Sequence, residues 1–234
     1  MKRRTFLTLA SSSVLAAVGI NYAQTQSATK MDELWLALER WLSDRLPEVL
    51  ADLNSGCSSE ELSELERRLN CKLPEDFKAF YRHHNGQKGK TTGLFLGLEC
   101  LDTDNIYSEW IAWRDLVLED AEIATAIESE SFPQDAIKTV YVNLKWIPIA
   151  RDWAGSHLGI DLDPGPTGTF GQVINFGADE DRKFVLAPSL TDFVAWMLAQ
   201  YQSGNYQANE RSLALREPPN QHFLDVVPLL FGGN

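Results

Sequence analysis

Leu73-Pro74-Glu75-Asp76-Phe77-Lys78-Ala79-Phe80-Tyr81-Arg82-His83-His84-Asn85-Gly86 is the stretch whose reading decides the fold. Pro74 suits the first turn of a helix, where a missing N–H costs nothing, and Glu75 and Asp76 favour the positive end of the helix dipole. Phe77, Phe80 and Tyr81 fall on one face and point to a core. Asn85-Gly86 stops the helix, because both residues tolerate the left-handed backbone.

Working upstream, Ser58-x-x-Glu61 is a capping box, and Leu62, Leu65 and Leu69 form one apolar stripe behind it, closed at Asn70. Earlier still, Leu34, Trp35, Leu38, Trp41, Leu42, Leu46, Val49, Leu50 and Leu53 recur at helical spacing, with Pro47 expected to end or kink that helix. Asn54-Ser55-Gly56 is a turn.

Downstream, Leu94–Leu101 reads as a short strand and Asn105–Ile127 as a helix carrying Trp110 and Trp113. Val140–Ile149, Leu158–Leu162, Gly171–Phe176 and Lys183–Ala187 read as strands, with a turn at Pro164-Gly165-Pro166-Thr167-Gly168. Ser189 or Thr191 caps a last helix through Phe193, Trp196, Met197 and Tyr201. Helices packed on a mainly antiparallel sheet make a single α+β domain. Residues 31–203 are expected to form it, with 204–234 as a tail whose apolar patch Phe223–Phe231 docks on the domain.

Residues 1–30 read differently. Lys2, Arg3 and Arg4 precede a short apolar run from Val14 to Ile20, the order of a secretory signal. The adjacent arginines, followed by Phe6 and Leu7, resemble a twin-arginine signal, which predicts export to the periplasm. A start at Met31 would instead give a cytoplasmic product. The apolar run is too short for an ordinary span of about 20 residues.

The 234 residues are 44% hydrophobic with 7 Trp and 11 Phe, enough for a real core. The formal charge of -12 repels phosphate backbones and argues against nucleic acid, and it fits solubility or a basic protein partner. Cys57 and Cys71 flank the helix begun at Ser58, about 18 Å apart at the helical rise, too far for a disulfide. Only a bridge to Cys100 stays open, and three free thiols are the expectation.

Enzyme chemistry finds few footholds. Gly86-Gln87-Lys88-Gly89-Lys90-Thr91 has only two residues between its glycines and follows a helix, so it lacks the frame of a phosphate loop. His83, His84, His157 and His222 include no i, i+4 pair for zinc, and no Gly-x-Ser-x-Gly elbow occurs. Of His83 and His84, one is expected packed and the other solvated. Asp161 and Asp163 alternate on one predicted strand, about 7 Å apart on the same face, a spacing that suits an acid–base pair, a cation or a loop tie. Asp179-Glu180-Asp181 reads as a hairpin tip. Trp35, Trp41, Trp110, Trp146 and Trp196 fit apolar stripes. Trp153, in the loop Arg151-Asp152-Trp153-Ala154-Gly155-Ser156, has two readings, packing over the sheet or serving as an interface anchor.

Residues 73–87 resemble the helix-and-turn segment of SUKH domains, the Smi/Knr-type family of fungal cell-wall assembly regulators and bacterial toxin-immunity proteins. Trp146-Ile147-Pro148-Ile149-Ala150, Gly159-Ile160-Asp161-Leu162-Asp163-Pro164, Gly168 with Gly171-Gln172-Val173-Ile174, and Ala187-x-Ser189-x-x-x-Phe193 follow in the same order. The likeness runs from about Met31 to about Tyr201. It implies an α+β fold and a non-catalytic, protein-binding role, in toxin immunity or in cell-wall assembly, with no cofactor and no metal. The residues expected to meet a partner are Asp152, Trp153, Asp161 and Asp163. Two rivals stand beside this reading: an exported envelope protein whose loop aromatics bind wall components, and a hydrolase using Asp161 and Asp163.

Overall fold

The computed structural model describes residues 29–126, 129–209, 212–219 and 222–233. Helix α1 runs through residues 29–45 and buries Met31, Trp35, Leu38 and Leu42 completely. It breaks at Leu46, as expected, because Pro47 offers no N–H and disfavours a helical residue before it. Pro47 then opens α2 (Pro47–Asp52). The capping box forms as read: Glu61 N donates to Ser58 Oγ at 3.2 Å and Ser58 N to Glu61 Oε2 at 2.7 Å. It starts α3 (Ser59–Leu69), which ends on left-handed Asn70. Helix α4 (Glu75–His83) buries Phe77, Phe80 and Tyr81.

The strand expected at Leu94–Leu101 is mostly a tight turn. Isolated bridges join Gly93 to Gly97 and Phe95 to Leu98, and Leu96 and Gly97 have positive φ. Tyr201 Oη pins this turn by donating to Leu94 O and accepting from Leu96 N. Only β1 (Glu99–Cys100) is strand. The helix expected to Ile127 is α5 (Thr103–Glu119), followed by the single turn α6 (Ile123–Ala126). A short strand that the sequence reading missed, β2 (Glu130–Phe132), comes next.

The strand read from Val140 begins six residues late, as β3 (Trp146–Arg151). Asn143 Oδ1 accepts from Lys145 N, and Asn143 O from Trp146 N, which folds residues 143–146 into a turn. Then come β4 (Ser156–Asp161), β5 (Gln172–Gly177), β6 (Arg182–Ala187) and α7 (Leu190–Gln202), whose cap is Ser189. The tail adds a hairpin, β7 (Gln207–Asn209) with β8 (Ser212–Ala214), and α8 (Phe223–Phe231).

The sheet has the order β1-β3-β4-β5-β6-β2, and every pairing is antiparallel except β2 with β6. The fold is thus α+β with a mostly antiparallel sheet. Alternation splits the strands between two layers. Ile147, Leu158, Ile160 and Val173 face the main core with Phe77, Phe80, Phe193 and Met197. Trp146, Ile174 and Phe176 face a smaller cluster with Ala136 and Ile137, against which Trp113 packs. The apolar patch of the tail docks: Phe223, Leu224, Val226 and Val227 are buried, and Phe223 meets Phe193 and Trp196. All three cysteines are free thiols.

Candidate functional site

Two loops at opposite ends of β4 carry the residues singled out from the sequence. At the C-terminal end, Asp161 is fully buried. Its Oδ1 accepts from Asp163 N at 2.9 Å and its Oδ2 from Gln172 Nε2 at 2.9 Å, so it ties the loop after β4 to β5. Burial pushes its carboxyl above the ordinary value, against the pull of those donors. The neighbouring Trp146 indole N–H is buried without a partner in hydrogen-bond geometry, although it helps hold the Asp161 charge.

Asp163 does not share a strand face with Asp161, contrary to the expectation. Strand β4 ends at Asp161, so alternation no longer fixes the direction of Asp163. It turns outward to Lys138, with Nζ 2.6 Å from both carboxylate oxygens, and takes a bond from Asn143 Nδ2 at 3.1 Å. Burial raises its carboxyl, but Lys138 and Asn143 outweigh that and hold it below the ordinary value. The two carboxylates therefore do not form an acid–base pair around a shared space. Asp161 as a partner contact also fails in this arrangement, because no part of it reaches the surface.

At the other end of β4, Asp152 and Trp153 form the β3–β4 turn. Asp152 Oδ1 accepts from Ala154 N at 2.7 Å and from Ser156 N at 3.0 Å, a self-bonded aspartate turn. Its own side chain is nearly buried, with Oδ2 3.7 Å from His222 Nε2. Trp153 stands at the tip with φ of 67°, unusual for so bulky a residue, and is 72% exposed. Packing over the sheet is thereby excluded for it, and Trp153 carries the largest solvent-exposed aromatic surface of the loop.

A charge cluster that the sequence reading missed fixes this tryptophan. The Arg151 guanidinium lies 3.5 Å from the Trp153 ring centroid. Arg151 Nε donates to Glu99 Oε2 at 2.9 Å and Nη1 to Glu109 Oε1 at 2.7 Å. Glu109 Oε2 lies 3.1 Å from His157 Nε2, and the His157 ring stacks on Phe176 and meets Trp113 edge-on. The bond to His157 first, then Arg151, against burial, brings the Glu109 carboxyl down to about 2. These residues come from β1, α5, β3 and β4, so no sequence spacing joins them; only the apolar setting of His157 hinted at it.

Beside the Trp153 loop runs the β5–β6 turn. Ala178 N donates to Gly155 O at 3.0 Å. Asp179 and Asp181 are exposed there, as a hairpin tip should be, but Glu180 turns inward. Its carboxylate takes a short bond from Asn175 Nδ2, and burial lifts it to about 7. Lys183, expected on a strand, is fully buried with Nζ on Glu180 O at 2.8 Å, and burial lowers it to about 8.

Other candidate chemistry is absorbed by the fold. In the glycine-rich segment after α4, the Asp52 carboxylate takes the amides of Lys90 and Thr91, so an internal anion fills the place a phosphate would need. His83 and His84 are both partly buried and both lie against Trp35, where one was expected solvated. His83 pairs with Asp32 and His84 bridges Asn54 O and Glu39. Among the described residues, no group of three or more His, Cys, Asp or Glu could hold a metal ion, and no helix is long and apolar enough to cross a membrane.

The chain is similar to named fungal regulators. It is 34% identical over 212 residues to the cell wall biosynthesis/cell cycle regulator smi1 of Schizosaccharomyces pombe, covering 84% of this chain and 42% of that protein. It is 33% identical over 217 residues to the glucan synthesis regulatory protein of Neurospora crassa, covering 78% and 41%. It is 28% identical over 204 residues to the cell wall assembly regulator SMI1 of Saccharomyces cerevisiae, covering 74% and 40%. The chain thus spans about two fifths of the length of these curated relatives. They overturn the expectation of export by a twin-arginine signal, because fungal cell-wall regulators do not leave the cell by that route. Residues 1–28, which prompted that expectation, lie outside the described residues. None of these relatives is named a toxin-immunity protein or an enzyme. The family model of the SMI1 / KNR4 family (SUKH-1) matches residues 56–196, from the turn before α3 into α7, and the chain belongs to that family.

Proposed function

We propose that this chain is a non-catalytic protein-binding module that regulates cell-wall synthesis, as its fungal relatives are named to do, and that the Asp152–Trp153 turn is its contact. The observation that carries this reading is the exposed Trp153, stacked on the Arg151 guanidinium. Large aromatics at the centre of an interface supply much of its binding energy, and holding one still in advance lowers the entropy lost on docking. Asp152 contributes by shaping the turn, and Asp163 by holding the far loop through Lys138. Asp161 is a structural tie.

Affinity capture from the native host with full-length protein, followed by mass spectrometry, tests it. The expected result is a protein partner lost with Trp153→Ala and kept with Asp163→Asn. A turnover abolished by Asp161→Asn in a chain that still folds would replace the reading with an enzyme.

A further inference from the structure

The surroundings of Trp153 are acidic in a way its own loop does not reveal. Arg151 is the cation nearest its ring, yet two carboxylates, Glu99 and Glu109, already hold that guanidinium. Asp179 and Asp181 stand exposed on the adjoining turn, joined to the Trp153 loop through the Ala178–Gly155 hydrogen bond. Lys183, a cation of β6 just beyond that turn, is fully buried with its ammonium on a backbone carbonyl. Arg182 lies back over Phe132 and Phe184 and leans on Glu130 at 3.8 Å. Around the indole, therefore, Arg151 and Lys183 are spent inside the molecule and the half-exposed Arg182 leans away towards β2, while Asp179 and Asp181 face out.

The indole itself has a free side. Arg151 covers one face, and with the residue 72% exposed the opposite face meets solvent. A tryptophan face attracts a cation through its ring quadrupole, most strongly when carboxylates nearby add to the field. An apolar or acidic group placed there would gain the contact area but not the charge complementarity.

Resting on the protein-binding reading above, we propose that Trp153 receives a basic segment of the partner: an arginine or lysine side chain stacks on its open face while flanking cations meet Asp179 and Asp181. Arg151 then acts as the inner half of a cation–indole–cation stack, made tolerable by Glu99 and Glu109.

Fluorescence anisotropy with labelled synthetic peptides tests this on the full chain. Four peptides of equal length carry four arginines, four lysines, four glutamates, or only glycine and serine. The arginine and lysine peptides are expected to bind, and the other two are not. Trp153→Ala should weaken the arginine peptide about tenfold, Trp153→Phe about threefold or less, and Asp179→Asn with Asp181→Asn about threefold to tenfold. Neutralising Glu60 and Glu64 on distant α3 should leave it unchanged. Equal loss from the α3 variant would reduce the effect to net charge and overturn the proposal. So would binding indifferent to Trp153→Ala, equal binding of the glutamate peptide, or sedimentation showing that Trp153 is buried between two copies of this chain. The two readings fail separately. A partner captured from the host in a Trp153-independent way sinks the basic-segment proposal and leaves protein binding standing, and capture of no partner at all sinks both.

Discussion

The two ends of β4 use the same residue type for opposite ends. At Asp161 the carboxylate is drawn inside, takes donors from Asp163 N and Gln172, and leaves nothing for a visitor. At Asp152 the carboxylate likewise binds backbone amides, but what it builds is a turn that holds Trp153 out in water. In both places an aspartate closes a loop; the difference lies in what the loop displays. A carboxylate in a loop is thus weak evidence of chemistry, and the residue it presents is better evidence of function.

The largest expected effect comes from the shared support of the display end. Arg151→Ala strands Glu99 and Glu109 and should lower the unfolding free energy by about 3 kcal/mol in urea titrations. A loss below about 1 kcal/mol would mean the cluster is not holding Trp153 by its bonds. At the closed end, Asp161→Ala leaves the buried Gln172 amide with Ala136 O as its remaining acceptor and the half-buried Asp163 N–H without its acceptor, and should cost about 2 kcal/mol. Partner affinity of the folded fraction should not move; a change there would break the contrast between the two ends.

Acid sharpens it further. The folded Glu109 carboxyl sits at about 2, below the ordinary 4.5, so between those values the unfolded chain takes up a proton that the folded chain refuses. Its stabilisation is present above about pH 4.5 and is lost as the pH falls towards 2. Stability measured from pH 6 to 2.5 should therefore decline more steeply in the wild type than in Glu109→Gln, by about 1.5 kcal/mol. Equal slopes would show that His157 and Arg151 do not favour the charged form. The smallest effects belong to exposed groups. Lys138→Ala removes a half-exposed ion pair with Asp163 and should change stability by less than about 0.5 kcal/mol, less still in high salt. Trp153→Ala should be equally mild, because the side chain is mostly exposed and gives up only its stacking on Arg151, while the left-handed backbone stays as it is. If it destabilised as much as Asp161→Ala, Trp153 would be a packing residue and not a displayed one.

Much of the helical layer was legible in order. The Ser58–Glu61 box, the break at Pro47 and the stop after His83 are local chemistry, written within four or five residues of where they act. The edge strand β2 was not legible: it is three residues long, and its partner β6 lies some fifty residues on. The late start of β3 depended on two hydrogen bonds to Asn143 that periodicity cannot see. At the site, Trp153 was singled out from its loop, but Glu99 and Glu109 were not, since neither stands near Arg151 in sequence.

The sequence by itself determined the caps and breaks of the N-terminal helices, which strand faces are apolar, and, through an ordered series of short motifs, which family the chain resembles, though not where α5 ends. Only the tertiary structure decided that Asp161 is a buried tie, that Asp163 answers to Lys138, and that Trp153 stands outside on a clamped arginine. The physical reason is range: caps and periodicity act over one or two turns of chain, whereas burial and charge pairing depend on neighbours that the fold brings from β1, α5 and the β5–β6 turn.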